Sequence, residues 1–238
     1  AISFVRSAHD IRRLGVEPSP RGPLVVAKIE TRAAVENLDS IIEASGAVMV
    51  ARGDLGSECP IEEIPHLQKQ IIEACIAHGR PAITATQMLE SMISSPIPTR
   101  AEASDVANAV FDGSSAVMLS GETAVGRDPV NTVRTMARIC ERADAEFDYD
   151  AWADRIARLR ESQKTGVSQG DRWTDSITHA AWQVALQVDA KAILCLSRTG
   201  FTVRSMARFR PTTPILGFSP DSQTVNQLTL SWGSMPIR

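Results

Sequence analysis

At 238 residues and a net charge of −3, with 43% apolar and 22% charged residues, the chain has the composition of a soluble globular protein. The mild acidity argues against a nucleic-acid surface, and no apolar run approaches the ~18 residues of a membrane span. The length allows one large domain or one and a half, and Cys59, Cys75, Cys140 and Cys195 lack metal-ligand spacing, as expected of reduced cysteines in a cytoplasmic protein.

Ile2–Val5 is a short apolar run, followed by a helical segment over Ser7–Leu14 and an extended connection forced by Pro18, Pro20 and Pro23. Val25–Ile29 then predicts a strand, and Thr31 caps a helix whose Val35, Leu38, Ile41 and Ile42 follow the helical period. A second strand, Ala47–Ala51, runs into a turn, Arg52-Gly53-Asp54-Leu55-Gly56. Pro60 with Glu62 and Glu63 opens the next helix, which closes at Gly79. Pro81–Ala85 is a third strand, Thr99 and Glu102 form a capping box for a helix reaching Gly113, and Ser115–Leu119 is a further strand. Asp128-Pro129 starts a long helix ending near Phe147. About five βα repeats call for a parallel sheet flanked by helices. A closed barrel needs eight such repeats, so the pattern reads as part of a longer chain, as does the absence of an initiator methionine.

Asp148–Arg172 is charged and reads as a helical connector followed by a mobile loop. Asp175 or Ser176 is expected to cap a helix with Ile177, Ala181, Val184 and Val188 inward. A strand at Ala192–Leu196, a loop Ser197–Gly200, a helix to about Phe209, a strand at Pro214–Phe218 and a last helix over Asp221–Leu230 complete a small doubly wound α/β module. Expected boundaries are 1–147, 148–172 and 173–238. Trp152, Trp173, Trp182 and Trp232 all lie in the second half and suggest packing between modules. His9, His66, His78 and His179 read as surface or packing residues.

Residues two apart on a strand share a side, so Lys28 and Glu30 project together at the downstream end of the first strand, and Asp54 follows the end of the next. Parallel α/β sheets gather their chemistry at these ends. Two carboxylates and a lysine there suit a divalent cation and a phosphorylated substrate, whereas either motif alone would read as a surface ion pair or an ordinary loop.

Three further blocks, Ala85-Thr86-Gln87-Met88-Leu89-Glu90-Ser91-Met92, Pro98-Thr99-Arg100-Ala101-Glu102 and Met118-Leu119-Ser120-Gly121-Glu122-Thr123-Ala124, stand in an order that resembles the pyruvate kinase family. The resemblance implies about the last five βα units of a TIM-type (β/α)8 barrel, followed by part of that family's carboxy-terminal α/β domain. It implies phosphoryl transfer from phosphoenolpyruvate to ADP, with Mg²⁺ (or Mn²⁺) and K⁺, in a cytoplasmic homo-oligomer, a tetramer by family habit.

On the same basis Lys28 stabilises the phosphoryl group in flight, and Glu30 and Asp54 are the metal ligands. The Gly53 and Asp54 amides with the Thr86 hydroxyl receive the substrate carboxylate. Ser120, with Glu122, lies where the family relays the enolate proton. Ser197, Arg198, Thr199, Gly200 and Thr202, with Arg204 adding charge, match the family's loop for a sugar-phosphate or nucleotide effector. The family's phosphate-binding arginine, K⁺ ligands and lid domain belong to strands outside this sequence, so the 238 residues alone are not expected to be active. Two other readings stay open: a non-catalytic or regulatory fragment or paralogue, and a metal-dependent lyase or aldolase acting on phosphoenolpyruvate or pyruvate.

Overall fold

Short runs of β-branched and small apolar residues build a parallel sheet in the first of two units of the chain. The computed structural model describes residues 1–17, 21–162 and 169–238. One unit holds Ala1–Gly15, Val25–Cys75 and Ala82–Phe147, and the other Val16–Leu24, Ile76–Pro81 and Asp148–Arg238. Two short stretches, 16–24 and 76–81, therefore group with the second unit rather than with the sequence around them. The loop expected near the end of the connector falls on 163–168, outside the described residues.

In the first unit the elements run α1 (Ala8–Arg12), β1 (Val26–Ile29), α2 (Arg32–Glu36), α3 (Leu38–Ala44), β2 (Ala47–Ala51) and α4 (Arg52–Glu58). They continue with α5 (Ile64–Ala77), β3 (Ala82–Ala85), α6 (Arg100–Phe111), β4 (Ala116–Met118), α7 (Gly121–Ala124) and α8 (Pro129–Ala145). The sheet order is β1-β2-β3-β4, parallel throughout. All five residues of β2 are buried, as a central parallel strand covered on both faces requires. Helix α6 closes over Met88, Leu89 and Met92 with its Val106 and Ala109, joined by Met136 of α8.

Several expectations are corrected here. Within the apolar run Ile2–Val5 only Ile2 bridges, to Ala27, because Phe4 turns to φ 53 and breaks the extended run. The helix after Thr31 is two helices, broken at Asn37, whose side-chain amide donates to the Ala33 carbonyl at 3.0 Å. Arg52–Gly56 is not a turn but most of α4, and a 3-10 turn, Ile61–Glu63, precedes α5.

The second unit comprises α9 (Tyr149–Ser162), α10 (Gln169–Gln187), β5 (Ile193–Leu196), α11 (Phe201–Ala207), β6 (Ile215–Phe218), α12 (Ser222–Leu228) and β7 (Ser234–Ile237). Its sheet order is β5-β6-β7, again parallel. Strand β7 escapes sequence reading because Gly233 and Pro236 interrupt any strand pattern; an edge position tolerates the proline. Helix α10 starts at Gln169, so Asp175 is no cap; it pairs instead with Arg160 and Arg208.

The phase of α10 also differs from expectation. Ile177, Val184 and Val188 are more than half exposed, while Thr178, Trp182 and Ala185 are buried. A stack of His179, Trp182 and Phe209, with centroids 5.3–6.0 Å apart, fixes that rotation. Trp152 donates its indole N–H to the Arg208 carbonyl at 2.9 Å, and the Arg210 guanidinium lies 5.2 Å from Trp152 and 5.0 Å from Trp232. Trp152, Trp182 and Trp232 thus pack inside the second unit. Trp173 is 63% exposed.

The capping box at α6 forms, and it does more than cap. Glu102 accepts from Thr99 N–H at 2.7 Å and from both the N–H and the hydroxyl of Ser91, at 2.7 and 2.5 Å. Burial tends to raise its pKa, but these hydrogen bonds outweigh it and the pKa is lowered from 4.5. A depressed carboxyl stabilises the fold above its unfolded value, and that stabilisation disappears as pH falls through the folded one. Glu102→Gln is therefore expected to cost roughly 1 kcal/mol at neutral pH. Urea titrations should show the gap between variant and parent narrowing as pH falls below the ordinary glutamate range; a gap that does not narrow with falling pH contradicts the assignment.

Candidate active site

Strand register carries four loops to one sheet edge. Ile29 lies opposite Val50, Ala51 opposite Ala85, and Ala85 opposite Met118. Arg52, Thr86 and Leu119, the residues that follow β2, β3 and β4, consequently begin level with one another, and Glu30 stands one residue earlier, level with Ala51.

At β1 the Lys28 ammonium forms an ion pair with Glu30 and donates to Ser3 Oγ at 3.2 Å. Glu30 is only 1% exposed, and its second oxygen accepts from the Phe4 N–H at 2.5 Å. A carboxylate so deeply buried is costly unless charge-paired, which argues against a mere surface bridge. Asp54 differs: it is exposed on the first turn of α4, and no described residue pairs with its carboxylate. No group of three or more His, Cys, Asp or Glu side chains among the described residues is arranged to hold a metal. A cation here would have at most two protein carboxylates and would need substrate and water for the rest. That donor set fits Mg²⁺, which takes hard oxygens and retains water.

The Gly53 N–H donates to Thr86 Oγ1 at 2.9 Å, so two of the predicted substrate groups are joined to each other. A Cβ at Gly53 would stand 3.5 Å from that hydroxyl, filling the space beside it. Thr86 and Gln87 both have left-handed backbones, φ 70 and 51, which swings the chain away from β3 as it leaves the sheet.

Sequence reasoning missed what holds them there. The Arg52 guanidinium donates to the Thr86 carbonyl at 2.6 and 3.3 Å and to the Gln87 carbonyl at 3.2 Å. Its remaining nitrogen meets both oxygens of Asp105, at 2.8 and 2.7 Å. Arg52 stands next to Gly53 in the sequence, but Asp105 is 53 residues away and carries no local signal.

Ser120 is half-buried at the end of β4. Glu122 is not open to a reacting group. It is fully buried, with one oxygen accepting from Leu89 N–H at 3.1 Å and the other from Ser120 N–H at 2.7 Å. It ties the loop after β3 to the loop after β4.

In the second unit, Ser197, Arg198 and Thr199 sit beyond β5. A pocket of about 390 Å³ opens between the carboxyl ends of β5 and β6, lined by Ser197, Arg198, Ser219 and Arg238 among others. Gly200 has φ 76, and a Cβ there would come 2.7 Å from Arg204 Nη1, so packing within the loop already calls for glycine. Arg204 is buried and donates to the Thr199 carbonyl at 3.0 Å, so it supports the loop from beneath. Burial and the charge of Arg80 push its pKa down to about 10. Thr202 lies half-buried in the first turn of α11.

Comparison with known proteins shows the family. Residues 1–133 match the family model described as pyruvate kinase, barrel domain, and 175–238 match pyruvate kinase, alpha/beta domain. The pyruvate kinase of Clostridium acetobutylicum is 42% identical over 238 residues, covering 99% of this chain and 48% of its own length. That of Geobacillus stearothermophilus is 44% identical, covering 98% of this chain and 39% of itself. A crystal structure of a pyruvate kinase from Cryptosporidium parvum superposes with a TM-score of 0.90 at 38% identity, covering all of this chain and 48% of that one. The chain belongs to the pyruvate kinase family, and it spans about half the length of the relatives it matches.

If Glu122 is a tie between loops, Glu122→Ala should destabilise the fold by roughly 2–3 kcal/mol, since two buried amides lose their acceptor. Hydrogen exchange at the Leu89 and Ser120 amides should accelerate together. Stability within about 0.5 kcal/mol of the parent would show instead an ordinary surface side chain.

Proposed function

We propose that this member of the pyruvate kinase family is the portion of a pyruvate kinase that holds the phosphoenolpyruvate carboxylate, the magnesium carboxylates and the lysine at the phosphoryl group. The complete protein then transfers that group to ADP, giving pyruvate and ATP. The observation that carries this reading is that Lys28, Glu30, Asp54 and the hydrogen-bonded Gly53–Thr86 pair all lie at, or just beyond, the carboxyl ends of three adjacent parallel strands, β1–β3. Family membership favours it over lyase or aldolase chemistry.

Glu30 and Asp54 would hold the divalent cation, which when bound supplies positive charge to the substrate oxygens. Lys28 presents its ammonium to the transferring group, where charge is stabilised as it spreads in the transition state. The first-turn amides of α4 and the Thr86 hydroxyl orient the carboxylate. Ser120 is the group we assign to the enolate side, as a relay for the proton that completes pyruvate. K⁺ ligands, the phosphate-binding arginine and the lid are expected from chain outside this sequence, and we infer a cytoplasmic homo-oligomer.

The loop Ser197–Thr202 and the adjoining pocket favour a second role, binding a phosphorylated effector. Exposed Arg198 and the hydroxyls of Ser197 and Thr199 offer charge-assisted contacts to an anion. Thr199→Glu in the complete protein should weaken binding of sugar phosphates or nucleotide monophosphates in calorimetry by tenfold or more, on the scale of one charge-assisted contact. Unchanged binding of all such ligands leaves the loop as a helix start only.

The primary test is catalytic. A coupled pyruvate assay on the complete polypeptide should show Mg²⁺-dependent turnover, and Asp54→Ala should abolish it at every magnesium concentration while the melting temperature holds. The 238 residues alone should give none. Normal turnover by Asp54→Ala would remove Asp54 from the metal site.

A further inference from the structure

We propose that Arg52 is a positioning residue for the substrate-carboxylate site, acting through the backbone of Thr86, and that Asp105 sets Arg52. The inference rests on the assignment of the Thr86 hydroxyl to the carboxylate of phosphoenolpyruvate; the Gly53 N–H is already given to that hydroxyl.

Thr86 is β-branched, and a left-handed φ is strongly disfavoured for such a side chain; Gln87 repeats the conformation immediately afterwards. Two consecutive residues of this kind persist only where their surroundings hold them. The turn points the carbonyls of Thr86 and Gln87 at the Arg52 guanidinium, which donates to both, at 2.6 and 3.2 Å. The opposite side of the same group is filled by Asp105, with Gln68 Oε1 at 3.4 Å. Arg52 is 10% exposed, so its charge has little water and depends on Asp105.

The contacts close a ring. Arg52 grips the Thr86 carbonyl, Thr86 Oγ1 accepts from the Gly53 N–H, and Gly53 is bonded to Arg52. The Thr86 oxygen is thereby fixed as an acceptor from within, which leaves its hydrogen for a ligand. A hydroxyl held this way needs no reorganisation when a carboxylate arrives. Only a planar fork can serve two carbonyls on one side and a carboxylate on the other; lysine, a point charge, cannot.

A purely structural ion pair and a positioning device make different predictions. Loss of structure lowers the active fraction, so kcat falls while both KM values hold. A displaced Thr86 weakens the contact with one substrate only. In the complete polypeptide, Arg52→Lys and Asp105→Asn should each raise the KM for phosphoenolpyruvate about tenfold or more, the scale of one charge-assisted hydrogen bond, with the KM for ADP within about twofold. Asp105→Glu, which restores the carboxylate, should recover part of the loss.

A KM for phosphoenolpyruvate unchanged in both Arg52→Lys and Asp105→Asn overturns the proposal. So does a fall in kcat alone, or failure of both variants to fold cooperatively, either of which makes the pair scaffold. If the unvaried complete protein shows no transfer from phosphoenolpyruvate, the underlying functional reading fails and takes this inference with it. An active parent with indifferent variants defeats this inference alone.

Discussion

Parallel register is the constraint on which the rest depends. Strands β2, β3 and β4 start their following loops level with one another and β1 ends one residue short of them, so side chains far apart in sequence arrive at one edge. The register is set by burial: β2 has no exposed residue, and a slip by one position would exchange its two sides against tightly filled layers of helix. Packing far from the edge therefore decides which functional groups can meet there.

Given that edge, the carboxylates divide by environment. Glu30, buried and paired with Lys28, is held in one geometry. Glu102 and Glu122 are consumed by backbone amides and hydroxyls, which locks the loops after β3 and β4. Asp105 is spent on Arg52. Asp54 keeps its exposed oxygens without a partner among the described residues. A site of this kind needs more acids for support than for chemistry, and the supporting ones resemble catalytic ones until their hydrogen bonds are known.

The second unit follows the same construction with a different balance. Helices α11 and α12 cover one side of β5–β6–β7, tightly enough that a Cβ at Gly217 would stand 3.0 Å from Val203. On the other side Leu194, Leu196 and Met235 are 66%, 81% and 55% exposed. Parallel sheets ordinarily bury both faces, and among the described residues this apolar side is left uncovered. In the same unit Asp175 pairs with both Arg160 and Arg208.

The sequence by itself determined the βα alternation, most strand positions to within a residue, the caps at Thr31 and Thr99, and the family. These rest on local chemistry: β-branched runs, side-chain oxygens three residues from an amide, and motif order. It also pointed to Lys28, Glu30 and Asp54, because strand period and strand end are readable without a fold, and to Thr86 through the family resemblance. It misjudged the start and phase of α10 and missed β7, where an aromatic stack and an edge proline outweigh the local pattern. Only the tertiary structure separated Glu122 from the open site, put Arg204 beneath its loop, and joined Arg52 to Asp105. Those outcomes depend on which side chains lose water together, and that is fixed by contacts between residues distant in the chain.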